Sequence, residues 1–274
     1  MGAYVIMVQY AMKHVKGANG VRARLLKLAF ESLYGPFAWA YDWVSRTFFL
    51  GQWGAWQRSA IPHLTGKRVL EVGMGTGNMQ IALTQAGYEA WGIDLSAQML
   101  RQAMAKARRH GLPPTRMLRA AANALPFPSG YFDSAVSTFP SEYISDPQTL
   151  GELRRVLKPG GRLVVVPGGW LNPKGAHARA LDGVARIVYG SDSSQGSYSA
   201  EAIQRQLERN GRWYGWVGVL KRRLEEAGFR VSARVASNAK GSCLIVIGYQ
   251  TSMSNNSPVG EAASQSSLSS SVSR

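Results

Sequence analysis

Five residues in a 24-residue stretch have the types and spacing to do chemistry together: Glu71, Gly73, Gly75, Gly77 and Asp94. They begin in the run RVLEVGMGTGN at 68–78, where a short apolar segment (Val69, Leu70, Val72) carries one carboxylate and then breaks into glycines. Three glycines in five residues make a poor strand and a poor helix, so they form a turn that needs backbone freedom or close approach. Asp94 follows a second apolar segment, EAWGI at 89–93. Strand, glycine turn, helix, then a strand ending in a carboxylate describes a nucleotide-type site. The turn lets a ligand lie on the backbone, and the carboxylate can accept two hydrogen bonds from a ribose diol.

The spacing narrows the ligand. A dinucleotide fingerprint is G-x-G-x-x-G, but the position three after Gly75 is Asn78, and no Gly-Lys-Ser/Thr follows to make a P-loop. Glu71, two before the first glycine, repels a pyrophosphate and suits a ligand carrying an ammonium and a sulfonium. At these residues the chain resembles the class I S-adenosylmethionine-dependent methyltransferases, whose first motif has the form E/D-x-G-x-G-x-G. Two further runs are similar to that family: ALPFPSGYFD at 124–133 and LRRVLKPGG at 153–161. The likeness is strongest over about 67–167 and is nearest to quinone-biosynthesis and other small-molecule methyltransferases.

The resemblance implies S-adenosyl-L-methionine as cofactor, with a site built from Glu71, Gly73, Met74, Gly75, Thr76, Gly77, Asp94, Leu95, Met99, Ala122, Asn123 and Ser137. Glu71 is expected near the methionine end, residues 73–77 against the ligand, and Asp94 on the ribose. One position departs from the pattern: many relatives carry Asp where this chain has Ala121, so the Asn123 amide and nearby backbone are left to recognise adenine.

A sulfonium carries its own leaving group, so no nucleophilic residue is required; alignment and exclusion of water suffice. The segment STFPSEY at 137–143 should lie at the carboxyl edge of the sheet. It is not the Asn/Asp-Pro-Pro-Tyr/Phe motif of DNA and RNA amino-methyltransferases, which argues against exocyclic base methylation. Glu142 and Tyr143 are the candidate catalytic bases there, and either could equally hold the loop. No metal is expected, since His14, His63, His110 and His177 have no ligand spacing.

The elements that position these residues follow from periodicity. Alternating strand and helix patterns over 67–167, with a terminal strand pair near 228–235 and 243–249, predict an α/β fold. It is a Rossmann-like, doubly wound, seven-stranded and mostly parallel sheet with one antiparallel strand and an N-terminal helical lid. Leu150, Leu153, Val156 and Leu157 line a helix stopped by Pro159 and paired glycines; 162–166 is a buried strand, and 168–175 is loop. Helices are expected near 176–188, 199–210 and 214–227, and a turn over 238–241.

Three regions result: a lid segment over 1–66, the methyltransferase-like domain over 67–250, and a Ser-rich disordered tail over 251–274. Residues 22–49 read as largely helical, and residues 34–56 hold nine aromatics, Trp39, Trp43, Trp53 and Trp56 among them. Such a lid suits a small apolar or aromatic acceptor, quinone- or lipid-like. It could also rest on a bilayer, or simply pack on the sheet.

Composition bounds the rest. The chain has 274 residues and one cysteine, Cys243, in an apparent core strand, which excludes a disulfide framework and fits a cytoplasmic location. No run of 18 apolar residues spans a membrane, leaving peripheral contact open. The net charge is +16, with Arg101, Lys106, Arg108, Arg109, Arg116 and Arg119 in one stretch without an acid and a second group at 205–223. Such a surface attracts nucleic acid, anionic lipid or an acidic substrate. Placement on outer helices favours a solvated basic exterior, so nucleic acid is not the favoured partner. An RNA methyltransferase and a non-catalytic cofactor binder stand as the alternatives to a small-molecule enzyme.

Overall fold

A computed structural model describes residues 4–6, 51–112, 116–171, 204–205 and 215–251, with the side chains of 4–6, 215 and 216 excepted. The expectations for residues 7–50, for a helix over 176–188 and for a tail beyond 251 lie outside the described residues, as does that for a helix over 199–210 apart from 204–205, which are helical.

The strands are β1 (Tyr4–Ile6), β2 (Arg68–Val72), β3 (Glu89–Asp94), β4 (Met117–Arg119), β5 (Phe132–Thr138), β6 (Leu157–Leu171), β7 (Phe229–Asn238) and β8 (Gly241–Gln250). The described helices are α1 (Gln52–Arg58), α2 (Asn78–Gln85), α3 (Ala97–Arg109), α4 (Pro147–Val156) and α5 (Gly215–Glu226). The main sheet runs β4-β3-β2-β5-β6-β8-β7, with β2 in its interior as expected. Strands β2 to β6 pair in parallel, and β8 runs antiparallel to both neighbours. The seven expected strands are therefore present, and short β1 adds an eighth, antiparallel to residues 169–171 of β6.

Strand β2 shows why these residues make a central strand. Val69, Leu70, Glu71 and Val72 are all buried, as a strand covered on both faces requires. Alternation sends Leu70 and Val72 to one face, with Ile93, Phe132 and Val165, and Val69 to the other, with Met79 and Leu83. Two caps set where the helices start: Ser96 Oγ accepts from the Met99 N–H at 3.3 Å, and Asp146 Oδ2 from the Thr149 N–H at 2.8 Å.

Two boundaries differ from expectation. Residues 168–171, read as loop, continue β6 and pair with residues 241–244 of β8. A register shift between Val165 and Gly168 accommodates Pro167, which has no N–H for the ladder. Beyond it, Gly169 and Gly241 leave the space that the buried Trp56 indole fills, so packing holds this extension as strand. The helix read as reaching Leu157 ends at Val156, and the paired glycines lie within β6. Residues 238–241 make the expected turn: Asn238 Oδ1 accepts from the N–H groups of Lys240 and Gly241 at 2.9 and 3.0 Å. Cys243 is fully buried in β8, and burial pushes its thiol up to about 11.

Candidate functional site

The carboxyl ends of β2, β3 and β5 surround a cavity of about 750 Å³, within the usual size for a small-molecule site. Its floor is the turn after β2. The N–H groups of Gly73 and Met74 both donate to the Ile93 carbonyl, at 2.9 and 3.0 Å, fastening the turn to β3. Gly73, Gly75 and Gly77 all have positive φ. A Cβ on Gly73 would strike the Tyr143 hydroxyl, and one on Gly77 would strike Ala103 of α3. At Gly75, by contrast, nothing lies within 4 Å, and the open space belongs to the cavity. Two glycines thus serve packing, and the middle one leaves room for a ligand.

Asp94 ends β3 with both carboxylate oxygens engaged by backbone. Oδ2 accepts from the Gly75 N–H and Oδ1 from the Ser96 N–H, each at 2.8 Å. The carboxylate is thereby oriented at the cavity wall, and each oxygen retains acceptor capacity for a diol. The Lys106 ammonium braces the turn from outside, donating to Asn78 Oδ1 at 2.8 Å and Thr76 Oγ1 at 3.2 Å.

Glu71 sits elsewhere. Its position in β2 aims it at α2, where Oε2 accepts from Gln80 Nε2 at 2.8 Å and Oε1 has no partner. It is 1% exposed and is not part of the cavity lining. Burial first, and then the neighbouring Asp94 charge, push its carboxyl up to about 8, the Gln80 hydrogen bond opposing. Burial therefore favours its neutral, protonated form, held beneath the turn.

Of the other expected cofactor residues, Met74, Thr76, Leu95, Met99, Ala122 and Asn123 line the cavity, whereas Gly77 and Ser137 do not. Ser137 is buried, with Oγ donating to the Val72 carbonyl at 2.8 Å. The Tyr143 hydroxyl also donates to that carbonyl, at 3.0 Å, and lies 2.9 Å from Ser137 Oγ. The Tyr143 ring forms part of the wall while its phenol locks the segment after β5 onto the end of β2. Glu142 is exposed and outside the lining.

Several wall residues are not among those expected of the cofactor site, although Trp53 belongs to the expected lid and Phe139 to the segment expected at the carboxyl edge. Trp53 and Gln57 come from α1, and Phe139 and Asp146 from the segment after β5. Phe139, with φ 51, is the only non-glycine residue of positive φ among the described residues. That conformation costs energy and is held from two sides: the Phe139 N–H donates to the Val166 carbonyl at 2.7 Å, and the ring stacks on Trp53 at 3.8 Å. Gln57 Nε2 donates to Thr138 Oγ1 at 3.0 Å. Trp53 thus faces the cavity, whereas Trp56 is core; the other aromatics of the expected lid lie outside the described residues.

The runs at 124–133 and 153–161 prove to be two halves of one clamp. Arg155 donates to the carbonyls of Phe127 and Leu125 at 2.7 and 3.0 Å and pairs with Glu152, whose Oε2 accepts from the Leu125 N–H at 2.8 Å. The Arg155 hydrogen bond holds the Glu152 carboxyl below its ordinary value. The clamp fixes the chain just beyond Ala121, Ala122 and Asn123, where they form a wall of the cavity.

The charged residues among the described lining are Asp94 and Asp146, with no Lys or Arg, on a chain of net charge +16. A backbone cradle, an oriented carboxylate and an anionic lining fit a ribose-bearing cation and fit a pyrophosphate poorly.

Residues 70–165 match a family described as a methyltransferase domain. A demethylmenaquinone methyltransferase of Thermus thermophilus is 39% identical over 140 residues, covering 49% of this chain and 63% of that protein. One from Renibacterium salmoninarum is 33% identical, covering 49% and 56%. A phosphatidylethanolamine N-methyltransferase of Cereibacter sphaeroides is 35% identical over 142 residues, covering 51% and 67%. The chain therefore belongs to the class I S-adenosylmethionine-dependent methyltransferases. Against the two demethylmenaquinone methyltransferases it spans only about three fifths of their length. The fold agrees: a crystal structure of a candidate S-adenosylmethionine-dependent methyltransferase from Methanococcus maripaludis superposes with TM-score 0.51 at 18% identity, covering 77% of this chain and 91% of that one.

Proposed function

We propose that this chain is an S-adenosylmethionine-dependent methyltransferase acting on a small apolar or aromatic acceptor of quinone or lipid type. One observation carries the reading: the cavity joins the Gly75 cradle and oriented Asp94 to an apolar wall of Trp53 and Phe139, with carboxylates as its only charged described lining. S-adenosylmethionine, when bound, supplies an electrophilic methyl on a sulfonium that departs as a neutral thioether. Gly75 admits the ligand to the backbone, Asp94 takes the ribose hydroxyls, and Ala121, Ala122 and Asn123 face the base. The anionic lining favours the cation electrostatically. Trp53 and Phe139 exclude water and offer flat apolar area to the acceptor.

Tyr143 acts in this reading as a positioning residue, because its proton already serves the Val72 carbonyl. Glu71 acts from beneath the turn, through its packing and the hydrogen bond it accepts from Gln80. The substrates named for the relatives, demethylmenaquinone and phosphatidylethanolamine, are membrane-resident molecules and support an acceptor of that kind, with the enzyme in the cytoplasm and in peripheral contact with the membrane. No described helix is long and apolar enough to cross a membrane.

The test is incubation of the full chain with methyl-labelled S-adenosylmethionine and separate quinone, lipid and RNA extracts. Label in the quinone or lipid fraction is expected. Label in RNA alone, or cofactor binding with no transfer to any fraction, overturns the proposal.

A further inference from the structure

The chain carries two basic groups, and the structure treats them differently. On α5, Lys221 pairs with Glu225 at 2.8 Å, Arg223 with Glu226 at 3.0 Å, and Arg222 with Glu226 at 3.7 Å. These three cations of the second group are thus paired within their own helix, while Arg209 and Arg212 lie outside the described residues. On α3, Arg101, Arg108 and Arg109 are exposed and have no carboxylate in ion-pair distance among the described residues. From Leu95 to Phe132 the sequence holds no acidic residue at all. Separations of seven and eight residues put Arg108 and Arg109 on the same face of the helix as Arg101. The opposite face, with Met99, Ala103 and Ala107, is buried against the domain.

This cationic face begins at the cavity. Leu95 lines the cavity and is 68% exposed, one of two large exposed hydrophobics among the described residues. Beside it, the exposed Arg119 donates from Nε to the Leu95 carbonyl at 3.0 Å. An apolar side chain at the rim, followed along one helix face by unopposed cations, matches an anionic bilayer: Leu enters the acyl boundary while Arg meets the headgroups. Single-stranded nucleic acid would instead call for exposed aromatic platforms beside the cations, and among its described residues this face has no exposed Trp, Tyr or Phe.

We propose that the exposed face of α3, with Leu95 at the cavity rim, docks the protein on an anionic lipid surface and brings the cavity mouth to the bilayer. The proposal rests on the reading of the cavity as the site for a lipid-like acceptor. Docking at the rim would let such an acceptor enter without crossing water.

The test is co-sedimentation of the full chain with phosphatidylcholine vesicles and with vesicles containing phosphatidylglycerol as well. Binding to the anionic vesicles alone is expected, weakening as salt rises. Each Arg at a charged surface favours partitioning by about fivefold, so loss of three costs on the order of a hundredfold and the reversal of charge in R101E/R108E/R109E should cost more than that. K221E/R222E/R223E makes the same change in net charge on α5 and should lose far less. Circular dichroism checks that both variants stay folded, and L95A gives a separate reading of the rim. Three outcomes overturn the proposal: equal losses in both triple variants, undiminished vesicle binding in the α3 variant, or α3-dependent binding to RNA and not to vesicles. Cofactor affinity measured by calorimetry is the separate check: vesicle binding by a chain that does not bind S-adenosylmethionine would refute the function and leave the docking surface standing.

Discussion

Glu71→Gln should make the protein more stable near pH 8 and should remove a pH dependence that the native chain shows. The Glu71 carboxyl is pushed from 4.5 to about 8, chiefly by burial and then by the Asp94 charge. Between those values the folded protein holds a proton that the unfolded chain has lost, so the unfolded state binds fewer protons and stability falls as pH rises. At 1.36 kcal/mol per pH unit, the full span corresponds to about 5 kcal/mol. The loss begins near pH 4.5 and is complete as pH passes 8. A glutamine keeps an oxygen to accept from Gln80 Nε2 and carries no charge to bury. Urea unfolding of both proteins at pH 5, 6, 7 and 8 measures the effect through their difference. Taking the difference matters, because His63 has a lowered pKa from burial and from Arg234 and Arg162, and it adds stability as pH rises toward 6.5. The stability difference should move in favour of the variant by several kcal/mol between pH 5 and pH 8. Parallel curves would show that Glu71 ionises normally and would refute the argument.

Asp94→Ala should weaken S-adenosylmethionine binding by about 1.5–3 kcal/mol per lost hydrogen bond, read by calorimetry, and more if freeing Gly75 loosens the turn. Arg155→Ala should cost on the order of 2–3 kcal/mol in urea unfolding, because it frees the carbonyls of Leu125 and Phe127 and leaves Glu152 without its cationic partner. Tyr143→Phe should lose about 1 kcal/mol of stability and leave the pH profile of kcat in place; disappearance of the limb on which kcat rises with pH would instead make Tyr143 the proton acceptor. Trp53→Ala should raise the KM of the acceptor by about 1.5–3 kcal/mol with little change in cofactor affinity, whereas Trp56→Ala should cost about 3–5 kcal/mol in thermal or urea unfolding. Equal losses of stability in the two Trp variants would place Trp53 in the core.

What the sequence made legible is what local chemistry dictates. The glycine turn, the carboxylate ending β3 and the parallel sheet are all written in runs of a few residues. The position of Glu71 was written there too: alternation along β2 puts it on the face of Val69, toward α2, and away from the face of Val72, which lines the cavity. Other features depend on contacts distant in sequence. Trp53 reaches the wall only because Phe139, 86 residues later, adopts a positive φ and stacks on it. The extension of β6 to Leu171 depends on the Trp56 indole and on glycines in two strands. Arg155 belongs to a recognisable motif, yet its purpose, binding carbonyls about 30 residues earlier, emerges only in three dimensions.

The distribution of charge links these levels. A protein of net charge +16 should repel a cationic ligand at long range, but that field is screened beyond about 8 Å at physiological salt. Inside the cavity the nearest charges decide, and among the described lining these are Asp94 and Asp146. Both carboxylates also receive backbone N–H donors, so their orientation is fixed before any ligand arrives. The cations meanwhile occupy the outer face of α3, where they meet solvent or an anionic surface. In the proposed reading, opposite signs thus act at opposite distances: carboxylates would select the ligand at contact, and arginines would act outside, where only a surface carrying many negative charges answers them.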